Sequence, residues 1–310
     1  MSILSKPFFH DEHAAIEKLE QILWPNGPVC PHCGGIEKIY RLNGSSTRAG
    51  LLKCGHCRKQ FTVKVGTVFE SSHLPLYKWL QAVYLMCASK KGISANQLHR
   101  TLEVTLKTAW FMAHRIREAM KDGLIPMLGG EGKIVEVDET FIGHDYSVKP
   151  KGDKRGRGYA HKHKVLALVE RGGKTVSMVV DDLRAKTLLP ILKEQIDQQT
   201  HIMTDEAGQY TYLSKDFAAH DFVHHGQGEY GRGIIHTNTV EGFFSIFKRG
   251  MKGIYQHCAK KHLHRYIAEF DFRHNNRKVS DIDRFYSAID GISDKRLMYR
   301  DSLSAVAVGM

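Results

Sequence analysis

Three carboxylates stand apart in this chain, each in a local sequence that could hold a divalent cation: Asp138, Asp205 and Glu241. The stretch from Ile134 to Thr140 alternates with the period of a β-strand, setting Val135 and Val137 on one face and Glu136 and Asp138 on the other. Ile202-Met203-Thr204-Asp205 reads as a second short strand ending in an acid. Glu241 lies in Thr239–Arg249, a segment of helical character in spite of Gly242, and Lys248 follows two turns along the same face. Two strand acids and one helix acid can converge on a pair of Mg²⁺ ions, the arrangement that in-line displacement at a phosphodiester needs. Any one of these acids taken alone reads equally well as a solvated surface group, so the joint pattern carries the reading.

The acids are 67 and 36 residues apart. In type and spacing they resemble the catalytic core of DDE-type transposases and retroviral-type integrases, which have an RNase H-like fold. The block His236–Gly250 (HTNTVEGFFSIFKRG), followed by Leu263–Arg277 (LHRYIAEFDFRHNNR), is similar more narrowly to the bacterial insertion-sequence transposases that carry an N-terminal zinc ribbon. The match runs from about residue 8 to residue 280. The resemblance implies binding of terminal inverted repeats, cleavage of the element's ends with Mg²⁺ or Mn²⁺, and joining of the freed 3′-hydroxyls to target DNA. It also implies a homo-oligomer in a synaptic complex, working in the bacterial cytoplasm at the nucleoid. Asp138 and Asp205 would carry the ions, with Glu241 or Asn238 completing the site and Lys248 holding a phosphate. Members of that family are described with either residue type at the third position, and Asn238 and Glu241 are three apart on one helix. A carboxylate holds Mg²⁺ better than an amide oxygen, which favours Glu241. Two other readings stay open: a DNA-binding regulator that has lost cleavage, and a metal-dependent nuclease without strand joining.

Four of the six cysteines form a second site. Cys30-Pro-His-Cys33 and Cys54-Gly-His-Cys57 are paired C-x-x-C knuckles with the spacing of a Cys₄ zinc ribbon. Such a shell is closed, so the expected zinc folds the module and does not catalyse. His32 and His56 lie within the knuckles, but four thiolates already complete a tetrahedron. Cys87 and Cys258 sit in amphipathic contexts and read as small buried residues.

The elements that must position these groups suggest an α/β chain in parts: an N-terminal helix and zinc ribbon over 1–72, a helix-turn-helix-like helical segment over 73–128, an RNase H-like catalytic domain over 129–280 and a C-terminal tail over 281–310. Ile16, Leu19 and Leu23 fall at helical spacing before Trp24-Pro25. Leu76–Ala88 is an apolar helix; Ser94 opens a short one with Gln97 at the capping-box position, and Thr105 opens a longer one from Leu106 to Met120. Lys107, His114, Arg115 and Arg117 place positive charge on that third helix, which favours DNA contact over plain packing. In the catalytic domain, 164–169 and 175–180 read as a strand pair and 183–199 as a crossover helix.

The charge balance is +12, with pI about 9.3, a surface that attracts phosphate backbones. The loop Lys149–Gly158 concentrates it: Lys151, Lys154, Arg155 and Arg157 stand among three glycines, suited to meet phosphates or to be a solvated tip. Lys248, Arg249 and Lys252, then Arg265, Arg273 and Arg277, extend a cationic edge from the third acid. The Gly-rich stretch His224–Gly233 reads equally as a flap beside the metal site and as a plain connecting loop. No apolar run is long enough for a bilayer, and no signal-peptide core opens the chain, so a cytoplasmic protein without membrane association is expected.

Overall fold

The Asp11 carboxylate accepts the Ala14 N–H at 2.7 Å and starts helix α1 (Glu12–Leu23), whose Ala15, Ile16 and Leu19 are buried. The computed structural model, which describes residues 2–121, 127–144 and 161–303, divides into two units, residues 1–122 with 279–310 and residues 123–278. In the first unit α1 leads into a three-stranded antiparallel sheet, β1 (Ile39–Arg41), β2 (Leu52–Cys54) and β3 (Gln60–Phe61). Its small core is Cys30, Leu52, Cys54 and Phe61, with the Trp24 ring edge-on to Phe61.

Three helices follow. Helix α2 (Leu76–Ala88) buries seven of its side chains, including Trp79 and Leu80. Helix α3 (Ala95–Leu102) is capped by Ser94 and ends where Glu103 takes the left-handed conformation at φ 51°. Helix α4 (Leu106–Ala119) is capped by Thr105. Short helix, tight turn and longer helix are present as expected, but three of the four expected charges on α4 do not face outward. His114, Arg115 and Arg117 are buried. The Arg115 guanidinium donates to the Glu70 carbonyl at 2.5 Å and lies over the Trp79 and Phe111 rings. A planar guanidinium can stack on aromatic faces while its edge donates hydrogen bonds, so in this core it serves as a packing element. Of the four, Lys107 alone is exposed.

The stretch expected as a tail from 281 instead forms helix α8 (Asp281–Asp290), with Phe285, Ala288 and Ile289 buried. Phe285 meets the rings of Phe8 and Phe9, with centroids 6.2 and 5.7 Å away. Gly291 then passes so close to the end of α4 that a Cβ there would lie 2.2 Å from the Ala119 carbonyl oxygen. The Lys295 ammonium donates to the carbonyls of Lys121 and Ala119 at the same end, where the helix leaves acceptors unfilled. A short helix α9 (Tyr299–Leu303) follows.

The second unit is built on one five-stranded sheet in the order β6-β5-β4-β7-β8, comprising β4 (Ile134–Ile142), β5 (His163–Glu170), β6 (Thr175–Val180), β7 (His201–Asp205) and β8 (Ala219–Val223). Strands β4, β5 and β6 are antiparallel neighbours, whereas β7 and β8 run parallel to β4. Helix α5 (Ala185–Gln195) makes the crossover, shorter than expected at both ends, and packs with Val135, Val137, Leu166 and Leu168 on one face. Helices α6 (Asn238–Gly250) and α7 (Lys260–Asn275) pack with Val165, Ala167 and Val169 on the other. This is the RNase H-like α/β core. The strand alternation read from 134–140 fixes which side chains meet which layer, because successive residues point to opposite faces.

Tyr266, Phe270 and Phe272 are core residues of α7. Arg265 and Arg273 are buried too and do not extend a cationic edge; Arg273 pairs with Glu269 one turn away. Asp271 and Asn275 on α7 accept the backbone N–H groups of Ser177 and Thr175, at 2.8 and 2.7 Å, and so occupy donors on edge strand β6 that another chain could otherwise pair with. Among the described residues no helix is long and apolar enough to cross a membrane.

Candidate active site

Parallel pairing sets the positions of the first two acids. The β4–β7 ladder matches Ile134 with His201, Val135 with Ile202 and Glu136 with Met203. Asp138 and Asp205 each lie two residues further on, so both strands carry an acid at the same level, with neighbouring strands about 4.8 Å apart. Asp138 points to the α6 side, as the alternation requires, and its Oδ1 accepts the Glu139 N–H at 2.7 Å. Asp205 closes β7 and accepts the Ala207 N–H at 3.0 Å.

Burial pushes the Asp138 carboxyl up to about 8; the nearby Glu139 and Asp205 charges push the same way, and Lys248 pulls against them. Asp205 is raised as well, first by burial and then by Glu206, against the Ala207 N–H and His225. Glu139 is raised by burial, although Tyr210 and Gln209 both donate to it. Asp138 and Asp205, both held above their usual range at the same level of the sheet, form a pair short of positive charge. Hard carboxylate oxygens of this kind suit Mg²⁺ or Mn²⁺, and a bound cation would remove the cost of ionising them.

Helix α6 brings the remaining expected residues. Glu241 is half exposed; it accepts from the Thr237 hydroxyl at 2.8 Å and lies 3.3 Å from His225 Nε2. Asn238 is exposed at the start of the helix. Lys248 stands over the Phe244 ring, 5.8 Å from its centroid, near enough to Asp138 to lower its proton affinity. The structure thus gathers Asp138, Asp205 and Lys248, while Glu241 is tied to Thr237 and His225 and not closed on the aspartates. Arg249 is exposed and donates to its own Ser245 carbonyl. Lys151, Lys154, Arg155 and Arg157 lie outside the described residues.

Several groups that the sequence did not single out shape the site. Glu139 follows Asp138 directly on the opposite face of β4, and its partners Gln209 and Tyr210 come from the turn after Asp205. His225, from the Gly-rich stretch 224–233 expected as a flap or a plain connecting loop, lies 3.3 Å from Glu241 and acts on Asp205. That stretch is anchored: the N–H groups of His225 and Gly226 both donate to Glu206 at 2.8 Å. Asp181 and Asp182 follow β6, and Asp182 accepts from Arg184 and Thr187 at the entry to α5, a turn role.

In the other unit the four thiols form a metal centre. Among the described residues, Cys30, Cys33, Cys54 and Cys57 are the only group of three or more potential ligands whose donor atoms lie within 4.8 Å of one another. The Sγ separations are 3.6 Å for Cys30–Cys57 and 3.7 Å for Cys33–Cys54. Four sulfurs about 2.3 Å from a tetrahedral zinc stand about 3.8 Å apart, so the set fits zinc. The Cys57 and His56 N–H groups hold the Cys54 thiol down to about 7, although burial opposes them. Cys33, against the Gly35 N–H, is pushed up to about 11 by the neighbouring sulfurs and burial, so of these two thiols it is Cys54 that favours the thiolate a metal requires. This is a structural zinc site with all four positions filled by protein.

A four-cysteine knuckle module and an acid-bearing mixed sheet are the parts that the resemblance to transposases implies. The chain matches the ISXO2-like transposase domain over residues 127–275 and the transposase zinc-ribbon domain over residues 10–60. It is 31% identical over 277 residues to an uncharacterized protein in transposable element ISH50 of Halobacterium salinarum, covering 86% of this chain and 91% of that one. The chain belongs to the ISXO2-like transposase family. An uncharacterized transposase-like protein of Haemophilus influenzae is 24% identical over 106 residues, 34% of this chain and 85% of that protein. Among solved structures, the Mos1 strand transfer complex is similar at 14% identity with a TM-score of 0.30, covering 68% of this chain and 72% of that one. A simian T-cell lymphotropic virus intasome is similar at 14% identity and a TM-score of 0.28, covering 56% and 67%.

Proposed function

We propose that this transposase cleaves DNA at the inverted-repeat ends of its insertion element and transfers the freed 3′ ends into target DNA. The observation that carries the reading is the pair Asp138 and Asp205 at the same level of parallel strands β4 and β7, with Lys248 beside Asp138 and both carboxyls raised by burial. Asp138 and Asp205 hold the divalent ions, and Glu241 or Asn238 supplies the third ligand from α6. Mg²⁺ or Mn²⁺, when bound, supplies Lewis-acid stabilisation of an in-line displacement at phosphorus. Lys248 meets a phosphate oxygen next to the cleaved bond and offsets its charge. Glu139, fixed by Tyr210 and Gln209, stays behind Asp138 and adds negative potential that strengthens the hold on cations. The cationic loop around Lys151, Lys154, Arg155 and Arg157, with Arg249, contacts the phosphate backbone. The chain works as a homo-oligomer that pairs two element ends, at the nucleoid of the cytoplasm.

The test is a strand-transfer assay on the native element ends. Wild type cleaves and joins in Mg²⁺, whereas Asp138→Asn and Asp205→Asn lose both by on the order of 10³-fold while still binding the ends, since an amide keeps the shape but not the charge. Cleavage without joining would make the protein a nuclease. End binding without cleavage by wild type would make it a regulator.

A further inference from the structure

The one carboxylate of β4 that is wholly sealed from solvent is none of the proposed ligands. Glu136, at 0% exposure, sits one pleat before Asp138 on the same face. Its Oε2 accepts the backbone N–H groups of Thr239 and Val240 at 2.7 and 2.9 Å, and its Oε1 accepts the Thr239 hydroxyl at 2.8 Å and Arg171 Nε at 2.6 Å. These four donors use the roughly four lone-pair sites that a carboxylate offers, so Glu136 has none left for a metal. Helix α6 has no side-chain cap of its own. Glu136 caps it from across the structure, placing negative charge at the positive end of the helix dipole.

Arg171 completes the arrangement. Its backbone N–H donates to the Ile134 carbonyl at the start of β4. Its guanidinium reaches the Ile234 carbonyl at 2.7 Å, the His236 carbonyl at 2.8 Å and His236 Nδ1 at 3.0 Å, the residues that lead into α6. One fork therefore ties the strand that carries Asp138 to the chain that enters the helix carrying Asn238, Glu241 and Lys248.

We propose that Glu136 and Arg171 are positioning residues that lock the first turn of α6 to β4 and so set the distance from Asp138 to the third ligand and to Lys248. The inference rests on the transposase reading for its catalytic consequence, but not for its structural one. A misplacement of about 1 Å in such a site costs on the order of 10²-fold in rate.

The test uses the full chain with Arg171→Ala and Arg171→Lys. Hydrogen exchange of the Thr239 and Val240 amides should speed up in both, whether or not the protein cleaves DNA. At saturating end DNA and Mg²⁺, kcat should fall on the order of 10²-fold, with KM for end DNA changed less than about threefold. Lysine keeps the charge but cannot make the forked set of bonds, so Arg171→Lys should resemble Arg171→Ala. If Arg171→Ala does not fold, Thr239→Val removes a single hydroxyl donor to Glu136, and a smaller shift in the same two measurements is expected. Unchanged exchange, unchanged kcat or full rescue by lysine overturns the lock. A rise in KM alone would make Arg171 a direct phosphate contact and overturn it too. If wild type itself shows no cleavage, the catalytic reading fails separately, and the exchange measurement still decides the lock.

Discussion

Asp138 and Asp205 occupy the same level of two adjacent parallel strands, each two residues beyond the Glu136–Met203 pair that ends the β4–β7 ladder. A slip of the register by one residue would send one of the acids to the opposite face of the sheet. The pairing is held by the burial of Val135, Val137 and Ile202 against α5, so the core that stabilises the unit also sets the spacing of its acids.

The third ligand is decided by paired substitutions. If Glu241 is that ligand, Glu241→Gln should reduce cleavage as severely as the aspartate changes, on the order of 10³-fold, and Asn238→Ala should be milder. Cleavage rates at saturating Mg²⁺ give the order directly. The reverse order would make Asn238 the ligand and leave Glu241 as the partner of Thr237 and His225.

The zinc site should be separable from the catalytic unit. Cys54→Ser should release the metal and unfold residues from about 28 to 66, because the binding free energy of a structural zinc is folding free energy. Metal analysis and limited proteolysis report it; the sheet over 134–223 should stay protected. Zinc content equal to wild type would contradict the Cys₄ assignment.

Asp138 makes stability depend on pH in the absence of metal. An unfolded aspartate loses its proton near pH 4, whereas folded Asp138 keeps it to about 8. Between these values the folded state binds more protons, so its contribution to stability falls as pH rises. Metal-free wild type should lose melting temperature relative to Asp138→Asn between pH 5 and pH 8, and saturating Mg²⁺ should restore much of it. Parallel melting profiles for the two proteins would show that Asp138 ionises freely in the folded state.

Basic residues should divide into those that meet DNA and those that pack the core. Neutralising Lys151, Lys154, Arg155 and Arg157 together should lower the slope of log affinity against log salt by up to about 3 to 4, roughly 0.9 for each phosphate that is no longer neutralised. Arg115→Ala should leave that slope unchanged and cost about 3 kcal/mol of stability, since it removes a buried stack and leaves the Glu70 carbonyl without its donor. A changed slope in Arg115→Ala would return α4 to the DNA surface.

Much of the fold was legible because periodicity survives in single elements. The alternation from Ile134 gave β4 and the faces of Glu136 and Asp138; Leu76–Ala88, and the caps at Ser94 and Thr105, marked α2, α3 and α4. Strand β8 carries no such signal, since Ala219-His-Asp-Phe-Val223 is a short, mostly half-buried edge strand in which apolar and polar residues do not alternate. Helix α8 is not legible in the sequence because its apolar stripe of Phe285, Ala288 and Ile289 is short and its partners, Phe8 and Phe9, lie at the other end of the chain. Charge misled on α4 and α7, where Arg115 and Arg273 are buried by stacking and pairing that a linear pattern does not encode.

The sequence by itself determined the chemistry on offer: four thiols at knuckle spacing, acids at strand ends and on a helix, and an amphipathic order of elements that fixes an α/β core. These follow from local rules of turn geometry and side-chain periodicity. Only the tertiary structure decided how those groups meet. Strand register brought Asp138 level with Asp205, Glu136 became the cap of a helix about a hundred residues later, and Glu241 was placed beside His225. Such relationships depend on which surfaces bury one another, and burial is a property of the assembled core that no single segment carries.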